Sequence, residues 1–104
     1  MTGKTYPKRD PARCPSHPGA VLREIILPDV RATKTAIAAV LKLSRNQLHM
    51  ILSEKQPVTP ETAVKLEAAF GGSARMWLAM QAAYDIWHAQ QKVDVKTIPS
   101  MRAA

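Results

Sequence analysis

Apolar positions along this chain recur at helical spacing in five stretches, separated by residues that start or stop helices. Val21, Leu22, Ile25 and Ile26 mark the first, with Pro18 suited to its first position and Pro28 ending it. Asp29 to Ala32 connects it to a second, capped by Thr33, in which Ile37, Ala38 and Leu41 line one face. Lys42-Leu43 leaves room only for a turn. Ser44 then caps a third helix, whose Leu48, Ile51 and Leu52 stand at i, i+3 and i+4. After a loop from Glu54 to Val58, Thr59-Pro60-Glu61 joins a cap, a first-position proline and a first-turn acid, and so opens a fourth helix. Its inner stripe is Ala63, Leu66 and Phe70, and Gly71-Gly72 ends it. Ser73 caps a fifth helix predicted to run to about Gln90. No segment reads as a strand and no repeat is visible, so the expected fold is an all-α, five-helix domain.

Flanking segments lack such periodicity. Residues 1–16, with Pro7, Pro11 and Pro15 and net positive charge, read as a disordered basic arm. Residues 17–91 form the domain, and 92–104 read as a flexible tail too poor in apolar residues to pack. At 104 residues there is room for one modest core.

Charge sharpens the picture. The chain carries a net +7, which points to an anionic partner, although nucleic acid, an acidic protein and an anionic membrane surface all satisfy charge alone. Within the predicted domain the excess is concentrated in residues 31–55, where Arg31, Lys34, Lys42, Arg45 and Lys55 face only Glu54. No apolar run approaches the roughly eighteen residues of a membrane span, and residues 1–10 lack the apolar stretch of a secretory signal. One cysteine, Cys14, excludes an internal disulfide, and a reducing cytoplasm is the expected compartment.

The basic stretch coincides with the two short helices, from about Thr33 to Lys55. Ala38 and Ala39 are small enough to let their axes cross closely, and Leu43 and Leu48 can fill the space beneath, which is a helix-turn-helix arrangement. With Leu48 set inward and 100° per residue, Asn46 and Met50 point outward, His49 and Ser53 lie on one flank, Gln47 lies on the other, and Arg45 stands near the helix start. Asn and Gln can pair with adenine in a major groove, and Arg with guanine. Candidate DNA-binding residues are therefore Ser44, Arg45, Asn46, Gln47 and His49, with Lys34, Thr35 and Lys55 placed to bind phosphate. A solvated helix face gives the same polar pattern; the tight turn, the caps and the clustered cations favour the DNA reading.

The stretch from Ile37-Ala38 through Leu43-Ser44-Arg45-Asn46-Gln47-Leu48 to Ile51-Leu52 resembles the lambda-repressor-like, XRE-type helix-turn-helix. Together with His17-Pro18-Gly19, Val58-Thr59-Pro60-Glu61-Thr62-Ala63, Met76-Trp77-Leu78 and Gln81 to Trp87, it is similar to the HigA (VapI-like) antitoxins over about residues 17–91. That resemblance implies a homodimer on a palindromic operator in its own promoter, and a HigB-like toxin partner, a RelE-like endonuclease that cuts mRNA on the ribosome. One departure stands out: such turns usually carry Gly where this chain has Lys42. A left-handed backbone there costs on the order of 1 kcal/mol without Gly, while the side chain gains reach toward phosphate.

The fifth helix is apolar over about half its circumference, wider than one core requires. Trp77, Met80, Tyr84 and Trp87 form one row, Met76, Ala79, Ala83 and Ile86 a second, with Gln81, Asp85 and His88 marking the polar side. Such a helix suits a dimer interface made by Met76, Met80, Ala83, Tyr84 and Trp87, or deeper burial in a single core. His17, His49 and His88 show no metal-ligand spacing, and no cofactor is expected. His17 reads as a helix-start residue, and Cys14, with no His or Asp framework in sequence, as an inert thiol. Paired carboxylates, a glycine-rich phosphate loop and a Ser-His-Asp set are absent, so an enzyme is not expected. The remaining alternatives are an XRE-type transcriptional regulator without a toxin and a protein-interaction module.

Overall fold

A computed structural model describes residues 13–102. Among these residues the secondary structure is helical throughout, with no strand. The elements are α1 (Pro18–Val21), α2 (Lys34–Val40), α3 (Arg45–Leu52), α4 (Pro60–Phe70) and α5 (Ala74–Lys92). The five expected helices are present, and α5 extends two residues beyond the predicted end. The basic arm predicted for residues 1–16 falls mostly outside the described residues.

The first helix departs from regular winding. After one α-helical turn the backbone widens into a π-helical turn over Leu22–Ile26, with the Leu27 N–H bonded to the Leu22 carbonyl, and then tightens into a 3-10 turn over Leu27–Asp29. Widening changes which side chains share a face. Leu22 is buried, Ile26 and Leu27 are partly buried, and Ile25, expected on the apolar stripe, is 66% exposed.

Caps fix the remaining boundaries. The Thr33, Thr59 and Ser73 side chains accept the N–H groups of Ala36, Thr62 and Met76 at 3.1, 3.3 and 3.0 Å. His17 caps α1 with its ring, Nδ1 accepting the Gly19 N–H at 2.8 Å. The core gathers Leu22, Ile37, Ala38, Leu41, Leu48, Ile51, Leu52, Val58, Ala63, Leu66 and Trp77, from the π-helical turn after α1 through α5 and including the α3–α4 loop. Gly19 lies where α1 crosses α3, so close that a Cβ there would overlap the Ile51 carbonyl.

The helical wheel puts Gln81 on the polar side of α5; it is instead only 5% exposed. Its Oε1 accepts the Val58 N–H at 2.8 Å and its Nε2 donates to Asp85 Oδ1 at 3.0 Å. A buried loop residue before a helix needs a partner for its N–H, and Gln81 supplies it across 23 positions. Tyr84 and His88 share this inward side, with ring centroids 4.4 Å apart, and the His17 ring meets Tyr84 edge-on at 4.9 Å. Of the other apolar residues of α5, Met76, Ala79 and Ile86 are exposed, Ala83 and Trp87 are half-buried, and Met80 packs against the core.

Burial lowers the pKa of His17, outweighing the carboxylates of Glu54 and Asp85 and the backbone bond to Gln56 that favour its protonated form. A buried neutral imidazole that accepts an N–H resists a proton that the unfolded chain takes up near its ordinary value of 6.5. Stability is therefore full above that value and falls as pH drops through and below it. Urea unfolding at pH 7.5 and 5.5 will show a lower midpoint at the acid value. His17→Asn, which keeps a capping oxygen without a titrating ring, will flatten that difference.

Candidate nucleic-acid interface

Helix α3 is held at both ends and left open along one side. At its start the Ser44 hydroxyl accepts the Gln47 N–H at 3.0 Å, while Gln47 Oε1 accepts the Ser44 N–H at 2.8 Å, a reciprocal capping box. Its buried side is Leu48, Ile51 and Leu52. At its end Glu54 takes a left-handed φ of 64°, with the Glu54 N–H on the Ile51 carbonyl and the Lys55 N–H on the Met50 carbonyl. Arg23 closes that end: Nη1 donates to the Leu52 carbonyl at 2.6 Å and pairs with Glu54 Oε2 at 3.2 Å. A cation on the last carbonyls of a helix also opposes its dipole. Sequence alone does not single out Arg23, because its partners lie 29 and 31 positions away.

The turn between α2 and α3 closes by the same bonding pattern. Lys42 sits at φ 55°, its N–H on the Ala39 carbonyl and the Leu43 N–H on the Ala38 carbonyl at 3.1 and 2.9 Å. The left-handed backbone anticipated for this position is present, so glycine fits it without strain. Lys42→Gly is expected to raise stability by about 1 kcal/mol, which for a domain of this size moves the melting temperature up by roughly 4–8 °C in a thermal scan.

All the proposed DNA-contact residues are exposed: Lys34, Thr35, Ser44, Arg45, Asn46, Gln47, His49 and Lys55. They fall into groups. Lys34 of α2 joins Arg45, Asn46, Leu48 and His49 of α3 around one open concavity of about 370 Å³. Gln47 lines a second, on the other flank of α3, with Lys42 and Lys65. Ser44 and Gln47 are already engaged in the cap, so the Gln47 amide nitrogen is the part of that side chain left for a base or phosphate. Ser53, predicted on the outer flank, turns its hydroxyl back to the His49 carbonyl at 2.8 Å. Thr35 and Lys55 line neither concavity.

Of the dimer residues expected on α5, Met76 is exposed and Ala83 and Trp87 are half-buried, whereas Met80 packs against the core and Tyr84 turns inward to His17 and His88. Cys14 is not isolated: its Sγ lies 3.5 Å from His88 Nε2, which sets Cys14 against α5. Among the described residues no group of His, Cys, Asp or Glu could hold a metal ion. Nor is any described helix long and apolar enough to cross a membrane.

A capped eight-residue helix with a polar outer side can enter a major groove, and Lys34 stands beside it. No family model matches the chain. Similar proteins do exist. Virulence-associated protein I of Dichelobacter nodosus is 40% identical over 75 residues, covering 72% of this chain and 69% of that protein. Among solved structures, an addiction module antidote protein of a HigA family from Coxiella burnetii superposes with a TM-score of 0.77 at 28% identity, covering 86% of this chain and all of that one. Pseudomonas aeruginosa antitoxin HigA, solved with the higBA promoter, gives 0.73 at 28% identity, covering 86% of this chain and 96% of its own.

Proposed function

The chain belongs to the HigA (VapI-like) antitoxin family, and from that premise we propose that it is the antitoxin and autorepressor of a toxin–antitoxin operon. As a homodimer it binds a palindromic operator in its own promoter, and it neutralises a HigB-like, RelE-like mRNA endonuclease. It works in the cytoplasm, on the nucleoid when bound to DNA, and performs no catalysis itself.

The observation that carries the DNA-binding part is the concavity shared by Lys34, Arg45, Asn46 and His49 on the exposed side of a rigidly capped helix. Arg45 and Asn46 read base edges, His49 contacts a base or phosphate, and Lys34 neutralises phosphate. The toxin part rests on the family alone. Co-expression with the neighbouring reading frame, followed by pull-down and a growth assay, tests it; a neighbour that neither binds nor arrests growth would leave a plain XRE-type repressor.

The dimer is supported by the side of α5 that carries exposed Met76 and half-buried Ala83 and Trp87, on a helix already packed on its other side. Two α3 helices would then stand about one helical turn apart along the duplex. Ala83→Glu places a charge on this flank and is expected to convert a dimer to a monomer in sedimentation equilibrium, with the helical circular dichroism preserved.

A further inference from the structure

Lys65 has no role in the DNA reading given above, and Lys42 enters it only as a side chain with reach toward phosphate, yet the two share a concavity with Gln47 of α3. Lys65 lies on α4, and its Nζ donates to the Lys42 carbonyl at 3.3 Å, so the two side chains start from one place on the surface. Around them an open hollow of about 400 Å³ is lined by Gln47, Gln56 and Thr59, with Glu61 as an acidic member. Asn46 lines the hollow on one flank of α3 and Gln47 the hollow on the other. A helix lying in a major groove has a phosphate chain on each side. Lys34 serves one wall, and none of the cations expected at the interface serves the opposite one at the same end of the helix.

Lys42 also holds a backbone conformation that glycine occupies without strain, at φ 55°. A strained residue in an exposed turn contributes nothing to the core, because its side chain stands in solvent. What it adds is a cation at the start of the recognition helix.

We propose that Lys42 and Lys65 form a second phosphate clamp, gripping the DNA strand opposite the one held by Lys34, so that α3 is anchored from both groove walls. This rests on the operator-binding reading and adds a site to it. Gln47 and Gln56 supply neutral donors to the same phosphate, and Glu61 at the rim offsets part of the charge and limits binding to unspecific DNA.

Fluorescence anisotropy decides the matter, with a labelled duplex carrying the chain's own promoter and a scrambled duplex of equal length, across about 50–200 mM KCl. Lys42→Gly and Lys65→Met, the latter keeping the aliphatic stem, are each expected to weaken binding to both duplexes alike. Each should also flatten the slope of log affinity against log salt by about 1 for every phosphate no longer neutralised. For Lys42→Gly that loss will accompany a raised melting temperature, a combination that damage to the fold cannot produce. Wild-type affinity and slope in both variants, with Asn46→Ala still impaired on the promoter, would overturn the clamp and leave the operator reading standing. Failure of the wild-type chain to prefer the promoter duplex would overturn both.

Discussion

Replacing Asn46 with alanine is expected to lower affinity for the promoter by roughly 1–3 kcal/mol per protomer while leaving binding to random DNA nearly unchanged. Asn46 is exposed, and the cap at the start of α3 is completed by Ser44 and Gln47 between themselves. Its removal therefore costs the fold little. A paired hydrogen bond to adenine is lost in each half-site, and a dimer loses two. Arg45→Ala has the same form with guanine as the partner. Lys34→Ala differs in kind: it weakens promoter and random DNA equally and flattens the salt dependence, because phosphate carries no sequence. Titrations of the three variants on both duplexes separate base readers from phosphate binders. Equal losses on both duplexes for Asn46→Ala would remove it from the readers.

The second large effect is structural and reaches the DNA indirectly. Gly19→Ala is expected to destabilise the protein at or above the upper end of the roughly 1–3 kcal/mol typical of overpacking, lowering the melting temperature by about 10–20 °C. A Cβ on Gly19 overlaps the Ile51 carbonyl, which is backbone within α3 and cannot rotate away as a side chain would. Its neighbours His17 and Pro18 are buried as well, so α1 has no room to slide. The helices must part, and α3 is one of them. Operator affinity should fall along with stability, unlike the Asn46 variant, whose melting temperature stays near wild type. An unchanged thermal transition in Gly19→Ala would mean that α1 and α3 do not cross as described.

Much of this architecture is legible in the residues themselves. Thr33, Ser44, Thr59 and Ser73 all cap the helices assigned to them, because a capping hydroxyl acts within three positions of itself. Lys42, expected at a strained turn, is found there with a positive φ. Interactions between distant residues are not visible in the same way. Gln81 looks like a solvent residue on an amphipathic wheel, yet it completes the hydrogen bonding of Val58, a demand set by a loop elsewhere in the chain. His88 beside Cys14 is another such pairing, joining positions 74 apart. Ile25 departs from expectation for a different reason: its predicted place assumes regular winding, and the π-helical turn changes the angle between neighbouring side chains. At the DNA-binding face, the sequence pattern correctly implies exposure. Ser44 and Gln47 use their polar atoms on each other, and their spacing is that of a capping box, a local signal that reading Gln47 only as a DNA contact passes over.

DNA binding as described requires the polar side of α3 to enter the duplex. Titrating isotopically labelled protein with its promoter duplex, and following amide and side-chain signals by NMR, tests this most directly. The largest shifts should fall on residues 44–50, the Asn46 side-chain amide and Lys34, with the inner residues of α5 unmoved. Shifts concentrated on α5 or on the outer side of α4, with Asn46 and Arg45 unperturbed at saturation, would contradict it.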